Sequence, residues 1–225
     1  MGDTFTPQSS RVEVSRSDRY ALVFALLVVS FMLTAFLPGE RARALPLALY
    51  ATALTLALRG TSGHWPVFRG SLWTLLPGSV LAVILLIVVP NRVVHGVISL
   101  WVAMILALSI IAVVRRVLAH RTVTLQTIFG ALSAYLLIGF FYAALFSAVS
   151  ELQHAALFTG GQAANSKTVQ YFSFITMTTV GYGDFTAADE PARTLAVFDA
   201  LTGQIFLVTL VARLVSTFGT ARSER

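Results

Sequence analysis

The chain has 225 residues, of which 56% are hydrophobic and only 12% charged, and its mean hydropathy is +0.79. This balance excludes an ordinary soluble domain and favours a membrane protein with several spans. The net charge of +6 comes almost wholly from arginine, since Lys167 is the only lysine, and we attribute it to cytoplasmic loops rather than to nucleic-acid binding. The chain has no cysteine, so nothing indicates disulfides or a thiolate metal site.

Six apolar segments predict membrane-spanning helices, because a helix needs roughly 20 apolar residues to cross the bilayer. A polar arm, residues 1–19, precedes them. In chain order the segments are residues 20–37, 44–58, 72–89, 93–114, 123–149 and 192–218. The second is short, and the fifth is long enough to tilt. The first resembles a cleaved signal peptide at Ala42-Arg43-Ala44, but its apolar run is longer than a signal core, so we expect it to be retained.

Basic residues in the loops predict the orientation. With six spans both termini share one side, which collects eleven of the 16 basic residues, against five on the other. Because such residues favour the cytoplasmic side, we expect both termini in the cytoplasm. The protein is therefore predicted to be a multi-pass component of the cell membrane (plasma or inner membrane). The loop between the fifth and sixth spans then approaches the outer face.

That loop contains the stretch TMTTVGYGD, residues 176–184. Irregular backbone at membrane depth is tolerated only where it is buried in protein or lines a water-filled path. Gly181 and Gly183 alternate with Val180 and Tyr182, and glycine adopts dihedral angles that other residues avoid. Alternating glycines let successive carbonyl groups point to one side, as a ladder of ligands for a dehydrated cation. Val180 and Tyr182 are expected to pack outward against protein.

Residues 178–184 resemble the selectivity filter of the potassium channel pore family, a standard example of carbonyl coordination. The resemblance covers about residues 123–218 and implies an outer helix, a re-entrant pore helix at 169–178, the filter and an inner helix. It implies that the backbone carbonyls of four residues bind K⁺ and that the Thr179 hydroxyl completes the innermost site. Those four residues are Thr179, Val180, Gly181 and Tyr182, and Gly183 completes the ion-binding run. K⁺ is thus the permeant ion, and no cofactor is expected.

The resemblance also implies the rest of the pore. One filter per chain requires four chains, so we expect a homotetramer in membrane lipid, closed around a central pore. The dipole of the pore helix would favour a cation in the cavity. Gly203 is the expected hinge of the inner helix. The expected cavity-lining residues are Gln204, Leu207 and Val211. Three small residues of the fifth span, Gly130, Ala134 and Gly139, are expected to allow close helix packing.

Two features beside the filter predict supporting contacts. In voltage-gated relatives a tryptophan bonds to the filter's aspartate, and this chain has Tyr171 at that position. A phenol also donates, so we predict a hydrogen bond from Tyr171 to Asp184, within a chain or between neighbours, with Thr178 at the turn between them. Asp199 lies in the middle of the sixth span. It is either a functional carboxylate near the ion path or, as helical spacing favours, an acceptor behind the pore helix.

The domain prediction divides the chain at residue 122. Residues 20–121 resemble a voltage-sensor bundle, residues 122–218 form the pore domain, and residues 219–225 form a short cytoplasmic end. The fourth span contains no arginine, since Arg92 precedes it and Arg115 and Arg116 follow it. We therefore expect an all-α, six-span bacterial-type member without a voltage-sensor arginine array, with weak or no voltage dependence. Gating is expected from the filter, lipid, a short terminus or a separate regulatory subunit.

Two other functions fit parts of the sequence. Intramembrane aspartyl proteases carry Gly-x-Gly-Asp, which residues 181–184 satisfy, but they need a second aspartate in an upstream span. Asp3 and Asp18 lie in the polar arm, and Asp199 lies downstream. A potassium-transporter subunit carries several degenerate filters in one chain, whereas this chain has one intact copy. We therefore expect a passive channel and no enzymatic activity.

Overall fold

The computed structural model describes residues 18–36, 52, 77–82, 84–85, 88–89, 91–119, 125–153 and 155–220. The predicted second span lies outside the described residues apart from residue 52. The third is described in part, with helical residues at 77–82, 84–85 and 88. The six-span arrangement therefore stays a prediction.

The principal elements of the described chain are five helices. They are α1 (Asp18–Phe36), α2 (Arg92–Ala119), α3 (Leu125–Leu152), α4 (Ser166–Met177) and α5 (Glu190–Thr220). Three are long and apolar enough to cross a membrane: α2, α3 and residues Glu190–Arg213 of α5. The apolar part of α1, Tyr20–Phe36, is shorter. The described chain is thus all-helical, with the short α4 between two long apolar helices.

The helix of the fourth span is longer than the sequence predicted. We expected it to end before Arg115 and Arg116, but α2 continues to Ala119. Arginine is a good helix former, and a cation near the carboxyl end of a helix interacts favourably with its dipole. Arg116 also lies over the Tyr20 ring of α1, 5.1 Å from its centroid. The two arginines therefore belong to the helix rather than to the loop that follows it.

One hydrophobic cluster of the described residues joins the first and fourth predicted spans to the fifth. Val23 and Leu27 of α1 pack with Leu106 of α2 and with Ala134 and Leu137 of α3, and all five are buried. The helices α2 and α3 are joined by a short connection and pack along their length. The helices α1 and α2 therefore pack against α3 of the same chain.

Small residues of α3 allow this close packing, as predicted. A Cβ atom added at Gly130 would lie 2.8 Å from Val117 of α2, and one added at Gly139 would lie 2.6 Å from the Phe174 ring of α4. Both distances are shorter than real Cβ contacts, so a side chain at either position would push its neighbour away. Ala134 is fully buried between them.

The short helix α4 begins three residues before the predicted start because Asn165 caps it. The Asn165 side chain accepts hydrogen bonds from the backbone N–H groups of Lys167 and Thr168, at 3.0 and 3.1 Å. The Thr168 hydroxyl accepts in return from the Asn165 backbone N–H at 3.0 Å. This reciprocal capping satisfies donors that the first turn of a helix leaves unpaired.

The cap predicts a stability effect. Asn165→Ala removes the side-chain acceptor and should lower the stability of the protein by about 1 kcal/mol. Asn165→Asp keeps an acceptor at the same position and should stay close to wild type. The thermal unfolding midpoint of the purified protein in detergent is the measurement. Equal midpoints for the alanine and aspartate variants would show that the cap contributes nothing.

Candidate functional site

The stretch that follows α4 has an alternating backbone. Thr179, Gly181 and Gly183 have φ angles of 59°, 49° and 81°, in the left-handed region. The prediction that the two glycines adopt positive dihedral angles is confirmed. The angle at Thr179 was not expected, because β-branched residues rarely adopt such conformations. Three left-handed residues at every second position give residues 179–183 a repeating backbone that is neither helix nor ordinary strand.

The end of α4 holds the start of this stretch in place. The Ile175 carbonyl oxygen accepts from the backbone N–H groups of Val180 at 2.9 Å and Gly181 at 3.2 Å. The Thr179 N–H donates to the Thr176 carbonyl oxygen at 2.9 Å. The Thr178 hydroxyl donates to the Phe174 carbonyl oxygen at 2.7 Å. The last carbonyl groups of α4 are therefore paired by the chain that turns back over them.

Residues 178–184 are all exposed in the single chain. Val180 is 51% exposed and Tyr182 is 73% exposed. We expected these two side chains to pack against surrounding protein, and within one chain they do not. An apolar strip on irregular backbone would be unfavourable if it stayed uncovered. This strip therefore lacks a covering surface within its own chain.

Tyr171 and Asp184 are in contact, as the sequence predicted. The Tyr171 hydroxyl donates to Asp184 Oδ2 of the same chain at 2.9 Å. This hydrogen bond to the carboxylate is the largest cause that raises the pKa of the Tyr171 phenol above its usual value of 10.0. The Tyr171 ring also packs edge-on against Phe185, with centroids 5.7 Å apart. The contact joins α4 to the far end of the alternating stretch.

A second support, which the sequence did not indicate, lies beside Asp184. The Gln162 side chain donates to the Asp184 backbone carbonyl oxygen at 3.2 Å. Phe158 and Ala187 form an antiparallel bridge, and the Thr159 N–H donates to the Thr186 carbonyl oxygen at 3.0 Å. The loop before α4 and the segment after Asp184 thus form a short ribbon. Only the folded chain brings these loops together, so no local sequence signal marks them.

The opposite side of α4 carries a buried polar group. Ser173 Oγ lies 2.8 Å from the Gly139 carbonyl oxygen of α3 and 3.2 Å from Oδ2 of Asp199 on α5. Asp199 is 0% exposed. Asp199 therefore lies behind α4, which is the position that helical spacing favoured.

The predicted hinge and cavity residues of α5 fall into two groups. Gly203 is buried, and a Cβ atom added to it would lie 2.5 Å from the Met177 carbonyl oxygen. Close packing against the end of α4 is therefore one reason for glycine there, while the hinge role stays a prediction. Gln204 and Val211 are exposed, and Leu207 is half-buried. The Gln204 amide lies 3.4 Å from Thr179 Oγ1, so it shares a surface with the alternating stretch.

The part of the chain that contains this geometry is similar to a known family. Residues 130–219 match the model of a family described as "Ion channel". Because of this similarity we refer to residues 130–219 as the ion-channel segment. It spans most of α3, all of α4, residues 178–184 and nearly all of α5, which is about two fifths of the chain. Among curated proteins no match is found. The match and the long apolar helices support a membrane protein of the ion-transport class, while the cell membrane and the orientation of the termini stay predictions.

The Tyr171–Asp184 bond predicts a pH-dependent effect on the ion-channel segment. Tyr171→Phe keeps the ring and removes the donor, and should shorten single-channel open times by a factor of about 2 to 10. Because the bond raises the phenol pKa above 10.0, its contribution is fully present below about pH 10 and is lost as the pH rises through the raised pKa. Open times of wild type and variant, recorded from pH 7 to pH 11, are the measurement.

Tyr20→Phe is the matched control, since it deletes a phenol hydroxyl on α1 that has no hydrogen-bond partner among the described residues. It should leave the pH profile of open times unchanged. If Tyr171→Phe gave wild-type open times in low and high potassium, the bond would have no part in holding the stretch.

Proposed function

We propose that the protein is a potassium-selective channel that passes K⁺ passively through a homotetrameric pore. The observation that carries the proposal is the alternation of left-handed residues at Thr179, Gly181 and Gly183, directly after the end of α4 and inside the ion-channel segment. When left-handed residues alternate with right-handed ones, successive carbonyl groups turn to the same side. Such a row of carbonyl oxygens can replace the water shell of a cation. This role explains why irregular backbone lies at membrane depth, where it is tolerated only if it is buried in protein or lines a water-filled path.

In this proposal the carbonyl oxygens of residues 179–182 are the K⁺ ligands, and the Thr179 hydroxyl adds the innermost one. Gly183 ends the run and leads to Asp184. Here α4 acts as the pore helix: its carboxyl end faces the inner part of the pore, where the dipole stabilises a cation. Bonds to Ile175 keep the ladder at that helix end. The protein thus supplies the carbonyl ligands at fixed positions, so they do not lose conformational freedom when the ion enters.

Two observations support assembly of four chains. One chain supplies one ladder, and a cation with its water removed needs ligands from several sides. The Val180 and Tyr182 side chains are exposed in the single chain, and a neighbouring copy is the surface that would cover them. The exposed face of α5, which includes Gln204 and Val211, would line the cavity below the filter.

The location and regulation follow from the same proposal. The chain is proposed to lie in the cell membrane with both termini in the cytoplasm and the filter near the outer face, surrounded by lipid. The first four spans act as a scaffold, since α1 and α2 share a core with α3 and since no arginine or lysine lies between Arg92 and Arg115. Gating then depends on the filter itself, lipid or a separate regulatory subunit.

The protease alternative finds no support in the site. An aspartyl protease needs two carboxyl groups that share a proton. Asp184 bonds to Tyr171 and Asp199 contacts Ser173, so the two aspartates have separate partners on opposite sides of α4.

Flux measurements on liposomes test the proposal. The purified protein should release K⁺ in preference to Na⁺ without an energy source. Gly181→Ala should abolish selective flux, because an L-residue in the left-handed region costs roughly 1 to 2 kcal/mol and the cost falls on all four chains. No atom of the same chain lies within 4 Å of a Cβ added at Gly181, so within one chain the effect would arise from backbone strain and not from a clash.

Gly161→Ala is the control for flux. It makes the same change in the loop before α4, where φ is 67° and no atom lies within 4 Å of the added Cβ, as at Gly181. Selective flux should survive it. Wild-type selectivity in Gly181→Ala would exclude the carbonyl ladder as the selective element.

Voltage dependence provides a separate test. Moving one elementary charge through the membrane field yields about 2.3 kcal/mol per 100 mV, and α2 offers no arginine or lysine within residues 93–114. The conductance of purified channels in a planar bilayer should therefore change little between negative and positive voltages. A steep conductance–voltage curve, equivalent to several gating charges, would contradict the scaffold role of the first four spans.

A further inference from the structure

The buried group behind α4 contains more acceptors than hydrogens. Ser173 Oγ carries one hydrogen and has two neighbours: the Gly139 carbonyl oxygen at 2.8 Å and Asp199 Oδ2 at 3.2 Å. A carbonyl oxygen can only accept, and 2.8 Å is the usual length of an O–H···O bond. The Ser173 hydrogen therefore belongs to Gly139. The contact with Asp199 then needs a hydrogen from Asp199 itself, since otherwise two oxygen lone pairs would face each other.

We propose that Asp199 is a proton-binding positioning residue: its carboxyl group holds a proton, donates it to Ser173, and so links the inner helix α5 to the pore helix α4. The chain of bonds then runs in one direction, from Asp199 to Ser173 to the Gly139 carbonyl group of α3. Each hydroxyl in it donates once. One proton thus joins three helices behind the filter.

Among the described residues, none that faces Asp199 carries a charge that would favour an ionised carboxylate. From α3 it is faced by the phenols of Tyr135 and Tyr142, and from α4 by the Ser173 hydroxyl. In the described part of the chain no cation pairs with it, and the ion pairs there, Arg92–Glu151 and Arg193–Glu190, lie elsewhere. Its second oxygen, Oδ1, is buried without a hydrogen-bond partner among the described residues. Burial of an unpaired carboxylate is strongly unfavourable, whereas a neutral carboxyl group is tolerated.

The position of the link makes it relevant to the filter. On α5, Gly203 lies one helical turn after Asp199, and on α4, Met177 lies one turn after Ser173. Gly203 and Met177 approach each other closely, as Asp199 and Ser173 do. The two helices therefore meet at two successive points, of which the second lies two residues before Thr179. A displacement of α5 at this contact would be transmitted to the start of the filter.

The effect on gating rests on the proposed function, whereas the presence of the proton does not. If Asp199 lost its proton, a buried charge would face the Ser173 oxygen and Gly139 would compete for the one remaining hydrogen. The contact between α4 and α5 would then loosen. We expect the filter of the wild-type channel to close more often as the pH rises enough to remove this proton.

Infrared difference spectroscopy tests the proton directly. The spectrum of wild type minus Asp199→Asn at neutral pH should contain the carbonyl-stretch band of a protonated carboxylic acid. This band should shift when H₂O is replaced by D₂O. Glu190→Gln, which changes an exposed carboxyl group of the same helix, should give a carboxylate band instead. Absence of the acid band from the Asp199 difference spectrum would overturn the proposal. Should Asp199→Asn not fold, Ser173→Ala must shift the band, because it removes the acceptor.

Channel recordings test the positioning role. The Asp199→Asn variant is more than a deletion: its side-chain amide donates to Ser173 as the protonated acid does, so conduction at neutral pH should be preserved. Between about pH 7 and pH 10 the wild-type open probability should fall about tenfold or more, which corresponds to ~1.4 kcal/mol, and that of Asp199→Asn should not. Equal alkaline responses in the two proteins would overturn the positioning role.

The two experiments separate the failure of this inference from the failure of the proposed function. A protein that shows the acid band but passes no K⁺ would keep the proton link and contradict the channel. A protein that passes K⁺ selectively but lacks the band would remain a channel and contradict the link. Ser173→Ala in recordings should abolish the difference between wild type and Asp199→Asn, because both then lack the shared partner.

Discussion

The carboxyl end of α4 is the constraint on which the rest of the site depends. A helix that stops inside a membrane protein leaves carbonyl groups that no water satisfies. Here the returning chain pairs them, and the Ile175 carbonyl oxygen accepts from both Val180 and Gly181. So tight a return requires the left-handed conformation at Thr179, which costs energy at a β-branched residue. The first left-handed residue of the alternating backbone is therefore explained by the need to pair the last carbonyl groups of α4. The glycines at 181 and 183 adopt the same conformation at little cost in energy.

Strain of this kind persists only when the surroundings hold the helix end firmly, and α4 is held on three sides. Its Phe174 ring packs edge-on against Phe31 of α1 and Phe140 of α3, with centroids 5.0 and 5.4 Å apart. The absence of a side chain at Gly139 makes room for that ring. On the other face, α5 reaches α4 through a buried polar contact at Ser173. Aromatic packing thus fixes the position of α4 in the membrane plane, while the directional bonds fix its rotation.

The sequence predicted the elements that local chemistry determines. The glycine alternation indicated positive dihedral angles, and the resemblance to voltage-gated relatives, together with the donor capacity of a phenol, placed Tyr171 beside Asp184. It did not predict the start of α4, because the cap at Asn165 lies in a polar stretch without hydrophobic periodicity. It missed the Ser173 contact and the ribbon at Gln162, since both join segments that are far apart in the chain. Rules based on neighbouring residues cannot identify partners that are far apart in the chain, and only the packing of the helices brings them together.

The attachment of α1 and α2 to α3 also limits how the channel can respond. A helix that senses voltage must move relative to the pore and must carry charge through the field. Here Leu106 of α2 and Leu27 of α1 are buried in the same core as Leu137 of α3, so any movement would have to open that core. The basic residues of α2 lie near its ends, and Arg116 packs on Tyr20 of α1. Signals that reach the proposed filter are therefore expected to arrive through packing against α4 rather than through a charged helix that moves across the membrane.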